Sequence, residues 1–277
     1  MKTVFQSARL SKIAAISLLS LGAFASVAYA YHAWGGYHWA RIANPFTLKL
    51  DDNVSSVWDG HLAGASGDWN APSAYPTVLF TTVVPGQSDP KNCRPKSGRV
   101  EVCNSKYGNN GWLGIASIWA SGNHITQGTV KFNDTYFNTA QYNTPAWKQF
   151  VTCQEIGHTF GLDHQDEIFG NPNLGTCMDY TNDPNGTVYG QLSNEKPNAH
   201  DYEELAAIYQ HLDDFTTLLF DKKSSAAASD IDTSNPSEWG REVRRSADGR
   251  GALYERNLGR GEKVFTFVIW ADQDAAE

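Results

Sequence analysis

Four side chains within eleven positions could act together on one ion: Gln154, Glu155, His158 and His164. Residues four apart on a helix share a face, so Gln154 and His158 present an amide and an imidazole to one point. Gly161 admits a left-handed backbone that other residues disfavour, and a turn there brings His164 back over the same point. Three ligands and one open position make the catalytic form of a zinc site. Such a metal acidifies its water, and a nearby carboxylate takes the proton. Glu155, beside the first ligand, is placed for that work.

The amide is the unusual member, because its neutral oxygen is a poorer zinc ligand than imidazole. Three outcomes stay open. Gln154 ligates through its oxygen, or Asp163 or Asp166 completes the set, or the site holds no metal. Cys153 is a poor substitute, since it points about 100° away from Gln154 on a helix. Retention of Glu155 favours a metal, because that carboxylate has little structural use. Singly, a buried histidine is usually a hydrogen-bonded core residue and a glycine after a helix only a cap. Those readings do not explain the joint spacing.

Downstream lies Thr176-Cys177-Met178-Asp179-Tyr180. With Gln154-Glu155-Ile156-Gly157-His158, Gly161 and His164, this resembles the active-site helix and Met-turn of the metzincin peptidases, most of all matrixin-type enzymes. Gln154 stands where that family has its first histidine. The resemblance implies zinc held by Gln154, His158 and His164, with Glu155 as general base. It makes Met178 the hydrophobic floor and Tyr180 an oxyanion stabiliser, as in astacins and serralysins. The chain has only two methionines, one of them Met1, so Met178 is not casual filling. More weakly, residues 111–119 resemble the edge strand lining the family's cleft, 54–69 its first long helix, and 201–209 its C-terminal helix. The likeness spans roughly 37–213. Of three possible cysteine pairings, Cys93–Cys103 closes a short loop and Cys153–Cys177 ties the helix to the Met-turn. Matrixins often cap the zinc with a prodomain thiolate. The segment before the first strand holds no cysteine, so something else must restrain an active enzyme.

The elements that position these groups are readable in outline. Asn143-Thr144-Pro145 is a helix start, a capping side chain followed by proline. Trp147, Phe150, Val151, Gln154 and His158 then recur at helical spacing, and Gly157 permits a close neighbour. Strands are expected at 46–50, 76–84, 99–103, 111–119 and 124–132. The expected architecture is α/β (α+β): a twisted, mostly parallel sheet with an antiparallel edge strand, the active-site helix, and an irregular lower subdomain over 162–188. Aspartates and asparagines crowd 163–183. Structural calcium is possible there, although turn chemistry explains the same residues. His32 and His38 could bind metal, but a strap packing its aromatics explains residues 31–39 better.

The start of the chain reads as an export signal: Lys2, Arg9 and Lys12, an apolar run at 13–27, and Ala28-Tyr29-Ala30 as cleavage site. Its removal leaves 19 basic against 30 acidic residues, a net of −11. That balance argues against nucleic acid. No other segment could cross a bilayer. The expected domains are a signal at 1–30, a catalytic domain at 31–220, a small-residue linker at 221–238 and a β-hairpin appendage at 239–277. The hairpin strands lie at 242–246 and 263–270, and three placements are open: on the peptidase domain, between chains, or on a surface. The expected function is a secreted or periplasmic zinc metalloendopeptidase acting on peptides or proteins, with an extended substrate paired to residues 115–118. The rivals are a binding module of the same fold and a structural surface protein.

Overall fold

The alternation at 46–50 becomes strand β2 (Phe46–Asn53), with Phe46, Leu48 and Leu50 turned inward and Thr47 and Lys49 outward. The computed structural model describes residues 32–71, 75–87, 89–219 and 231–272. The expected signal at 1–30 and residues 221–230 of the expected linker lie outside them. β2 pairs in parallel with β3 (Leu79–Pro85) on one side and β4 (Arg99–Ser105) on the other. β4 pairs in parallel with β6 (His124–Asn133), which pairs antiparallel with β5 (Trp112–Ser121). β1 (His38–Trp39) lies parallel against the start of β6. The five expected strands thus form close to their expected limits, in a mixed α/β architecture.

Helix α1 (Ser56–Trp69) connects β2 to β3, and a short α2 (Asp134–Phe137) follows β6. Helix α3 (Pro145–His158) begins where the capping pattern places it: the Thr144 hydroxyl accepts the Trp147 amide at 3.2 Å, with proline opening the helix. The indole of Trp69 donates to the Cys153 carbonyl at 3.1 Å and fastens α1 to α3. A helix leaves its last carbonyls without internal partners. Here aromatic donors cover three carbonyls at and just past its end: Trp34 on His158 (3.3 Å), Trp39 on Thr159 (2.8 Å) and Tyr209 on Phe160 (2.8 Å). Two of these donors come from the N-terminal strap. Tyr209 follows α4 (Ala199–Ile208), which opens with a capping box of Asn198 and Asp201. Between α3 and α4 the chain is irregular. All four cysteines are bonded, as Cys93–Cys103 and Cys153–Cys177.

The C-terminal region departs from expectation. It contributes three strands rather than two: β7 (Arg241–Arg245), β8 (Gly251–Gly259) and β9 (Glu262–Trp270). They are not an appendage. β9 pairs antiparallel with β5 along its length, β8 with β9, and β7 with β8. The described residues therefore form one nine-stranded sheet in the order β3-β2-β4-β6-β5-β9-β8-β7, with β1 on β6. Consequently β5, expected as the open edge, is interior. The cause is the mostly apolar run Val264 to Ile269, which is buried on both faces and is covered by its neighbours β5 and β8, by Trp34 and by Trp239. The expected linker also ends early: Ile231 is buried, and a 3-10 turn at Pro236–Glu238 leads to the buried Trp239, which packs with Trp112, Ile115 and Val268.

Candidate metal centre and its cover

The last turn of α3 and the loop after it bring two imidazoles face to face. Gly161 takes φ +102°, and a Cβ there would lie 2.4 Å from the Tyr37 carbonyl oxygen, so the turn needs glycine. Past it, His164 folds back until its Nε2 lies 3.0 Å from Nε2 of His158. The opposite ring nitrogens are engaged. His158 Nδ1 faces the Leu162 carbonyl at 2.9 Å, and His164 Nδ1 faces the Glu167 carboxylate at 3.2 Å. A carbonyl and a carboxylate can only accept, so each Nδ1 carries the hydrogen and each Nε2 of a neutral ring presents a lone pair. Two lone pairs at that distance repel unless a cation lies between them. Zinc with bonds of 2.0–2.1 Å sets tetrahedral neighbours about 3.3 Å apart. Ligating histidines characteristically give their other N–H to a carbonyl or carboxylate. The pair fits a metal.

Gln154 is fully buried, and its amide nitrogen donates to the Cys177 carbonyl at 2.9 Å. Its oxygen has no hydrogen-bond partner. An orphaned buried acceptor is costly unless something positive approaches it. This suits the first of the three outcomes for the amide. Neither alternative carboxylate faces the paired Nε2 atoms. Asp163 approaches Nδ1 of His164 at 3.5 Å and takes a bidentate grip from Arg244. Asp166 accepts the Ile168 amide in a local turn. Among the crowded aspartates, Asp179 and Asp183 likewise accept backbone amides.

The remaining expected residues surround this pair. Cys177 carries both the disulfide to Cys153 and the carbonyl that holds Gln154. Gly157 is the close-approach point: a Cβ there would lie 2.6 Å from the Met178 sulfur and 2.8 Å from Trp69. Met178 therefore packs directly against the ligand helix. Glu155 is buried, with one carboxylate oxygen unpartnered, and burial pushes its carboxyl well above the usual range. Burial, with the His164 ring second, holds His158 well below its ordinary value and so neutral. Tyr180 is buried with its ring 4.2 Å from that of His164 and stacked on Phe169 at 4.5 Å. Burial first, then the charge of Glu167, raises its hydroxyl.

Three contacts from the C-terminal strands close the centre, and none was singled out from sequence. Phe267 on β9, opposite Ala116 of β5, stacks on His158 with centroids 4.0 Å apart and planes 10° from parallel. Arg244 on β7 pairs with Asp163 and, at 3.1 Å, with Glu167, the carboxylates behind His164. Gly251, at the start of β8, lies so close to Tyr180 that a Cβ would sit 2.2 Å from its hydroxyl oxygen. The result is a sealed site: Gln154, Glu155, His158 and Tyr180 are each at most 1% exposed. The alternating apolar character of Lys263 to Trp270 marked a strand. Nothing local marked what it covers.

Among the described residues no helix is long and apolar enough to cross a membrane. The chain matches no protein-family model, and no curated protein matches it significantly.

Proposed function

We propose that this chain is an exported zinc metalloendopeptidase of matrixin-like metzincin type, kept latent by its own C-terminal strands. The observation that carries the reading is the His158–His164 pair, with both Nδ1 atoms satisfied and both Nε2 lone pairs turned on one point at 3.0 Å. Zinc bound there would acidify a water and polarise a scissile carbonyl. Glu155, whose unpartnered oxygen would be ionised once a cation beside it offset the effect of burial, would take the proton of the attacking water and return it to the leaving amine. The Tyr180 hydroxyl donates to the oxygen on which negative charge develops. An extended peptide would pair with β5, and that pairing is already made by β9. Release of β7–β9 therefore has to precede catalysis. This takes the place of a cysteine switch.

A binding or surface protein is the second reading. The continuity of the sheet through β9 favours it, because a cover built into a sheet can be permanent. Hydrolysis decides between them. Arg244→Ala combined with Phe267→Ala loosens the cover while keeping the ligand residues themselves, although it removes the ring stacked on His158 and the guanidinium behind His164. The full-length double variant is expected to cleave casein at least tenfold faster than the unmodified chain. That activity is lost to a chelator and to Glu155→Ala. A double variant that binds zinc but cuts none of a varied peptide set contradicts the enzyme reading.

A further inference from the structure

A second set of metal-ligand atoms converges elsewhere in the molecule, from residues the peptidase reading does not use. His38 on β1 and His124 at the start of β6 are direct register partners. The segment after α4 runs beside the strap, with the Asp213 amide donating to Arg41 (3.0 Å) and the Thr217 amide to Ala40 (2.9 Å). That pairing brings His211 and Asp213 against the two strand histidines. Nε2 of His38 lies 3.2 Å from Nε2 of His211 and 3.5 Å from Oδ1 of Asp213. Nε2 of His124 lies 3.2 Å from the same Oδ1, and Nε2 of His211 lies 3.8 Å from it.

We infer that His38, His124, His211 and Asp213 form a structural zinc site that clasps the N-terminal strap to the β5–β6 turn and the segment after α4. The donor set is three imidazoles and one carboxylate, a full tetrahedral complement with no position left for substrate. Tetrahedral zinc with bonds of 2.0–2.1 Å requires ligand atoms about 3.3 Å apart. Four of the six separations are 3.2, 3.2, 3.5 and 3.8 Å, around that value; His38, His124 and Asp213 converge mutually, and His211 joins them through its contacts with His38 and Asp213. The outer contacts also orient the donors. His38 Nδ1 faces the Gly36 carbonyl at 2.9 Å, so it carries the hydrogen and Nε2 presents its lone pair inward. Asp213 Oδ2 is occupied by the Arg41 guanidinium (2.9 Å) and backbone amide (3.1 Å), so Oδ1 alone faces the three rings.

A plain hydrogen-bonded knot is the competing account. It requires His211 to donate Nε2–H to the His38 lone pair and His124 to donate Nε2–H to Oδ1, which leaves the His38 lone pair facing the same carboxylate oxygen at 3.5 Å unrelieved. A cation accepts all four lone pairs at once. His38 is buried, whereas the His211 side chain is 52% exposed. Zinc can therefore enter from the solvent side, and His211 can be shortened without opening the core.

The test uses zinc alone and full-length protein. In a His158→Ala, His164→Ala chain, the first centre is disabled and any remaining zinc reports the second. One equivalent per chain is expected, falling to none when His211→Ala is added. In cobalt-substituted protein, the same chain is expected to show the strong visible absorption of a tetrahedral site. No zinc in the double variant, or zinc unchanged by His211→Ala and by His124→Ala, overturns the proposal. Loss of zinc only on changing His158 and His164 would leave the first centre standing and remove this one.

Discussion

At the scale of single residues, burial decides which charges the fold can tolerate. Lys131 on β6 is the clearest case. Its side chain is 1% exposed, its ammonium has no hydrogen-bond partner, and the nearest carboxylate, Asp232, is 4.0 Å away. Burial pulls its pKa down to about 8. An ordinary lysine titrates near 10.5, and a drop of that size corresponds to on the order of 3 kcal/mol at pH 7. Between about pH 8 and 10.5 the unfolded chain keeps a proton the folded chain has released. Stability from this group therefore rises with pH in that window and is lost as pH falls through 8. Lys131→Met is expected to be more stable than the native chain at pH 7, with the advantage shrinking towards pH 10. Urea unfolding at the two pH values measures it; equal stability at pH 7, or a loss, contradicts the assignment. The same accounting makes the Gln154 oxygen informative, since a buried acceptor without a donor calls for a cation.

Among the elements, the tie between α3 and the turn at residues 176–180 carries most of the site's geometry. The Cys153–Cys177 bond closes a 24-residue separation, for which loop-closure entropy gives about 3.5 kcal/mol. Cys177 also supplies the carbonyl that fixes Gln154. Replacing both cysteines with serine is expected to lower stability by about 3 kcal/mol and zinc affinity at least tenfold, read by chemical unfolding and by competition with a chromophoric chelator. Unchanged affinity would show that the amide needs no such brace. Much of this element structure was legible in the sequence, because its causes are local. Thr144 and Pro145 start α3, Gly161 bends the chain, and the fixed spacing of His158 and His164 does the rest. β8 was not legible: Glu255, Arg256 and Asn257 blur its alternation, and its neighbours β7 and β9 supply the reason it is a strand.

Across the whole molecule, the informative fact is long-range pairing, which no local pattern encodes. Val264 to Ile269 announces a strand but not its partner. In the structure that partner is β5, the strand expected to receive substrate. The separate appendage and the open edge thus give way together. One rearrangement explains both corrections, and it also explains why Phe267, Arg244 and Gly251 escaped notice: each acts on a residue far away in the chain. The His38, His124, His211 and Asp213 cluster escaped for the same reason, although His38 stood out in the strap. A sheet that runs unbroken from β3 to β7 would make the proposed latency a property of the fold.

Zinc content per chain in full-length His211→Ala protein tests the centre on α3 most directly, because that substitution silences the other cluster. One equivalent is expected, lost completely on adding His158→Ala. A His211→Ala chain that binds no zinc, or one whose zinc survives His158→Ala and His164→Ala together, would contradict a metal held between those two imidazoles.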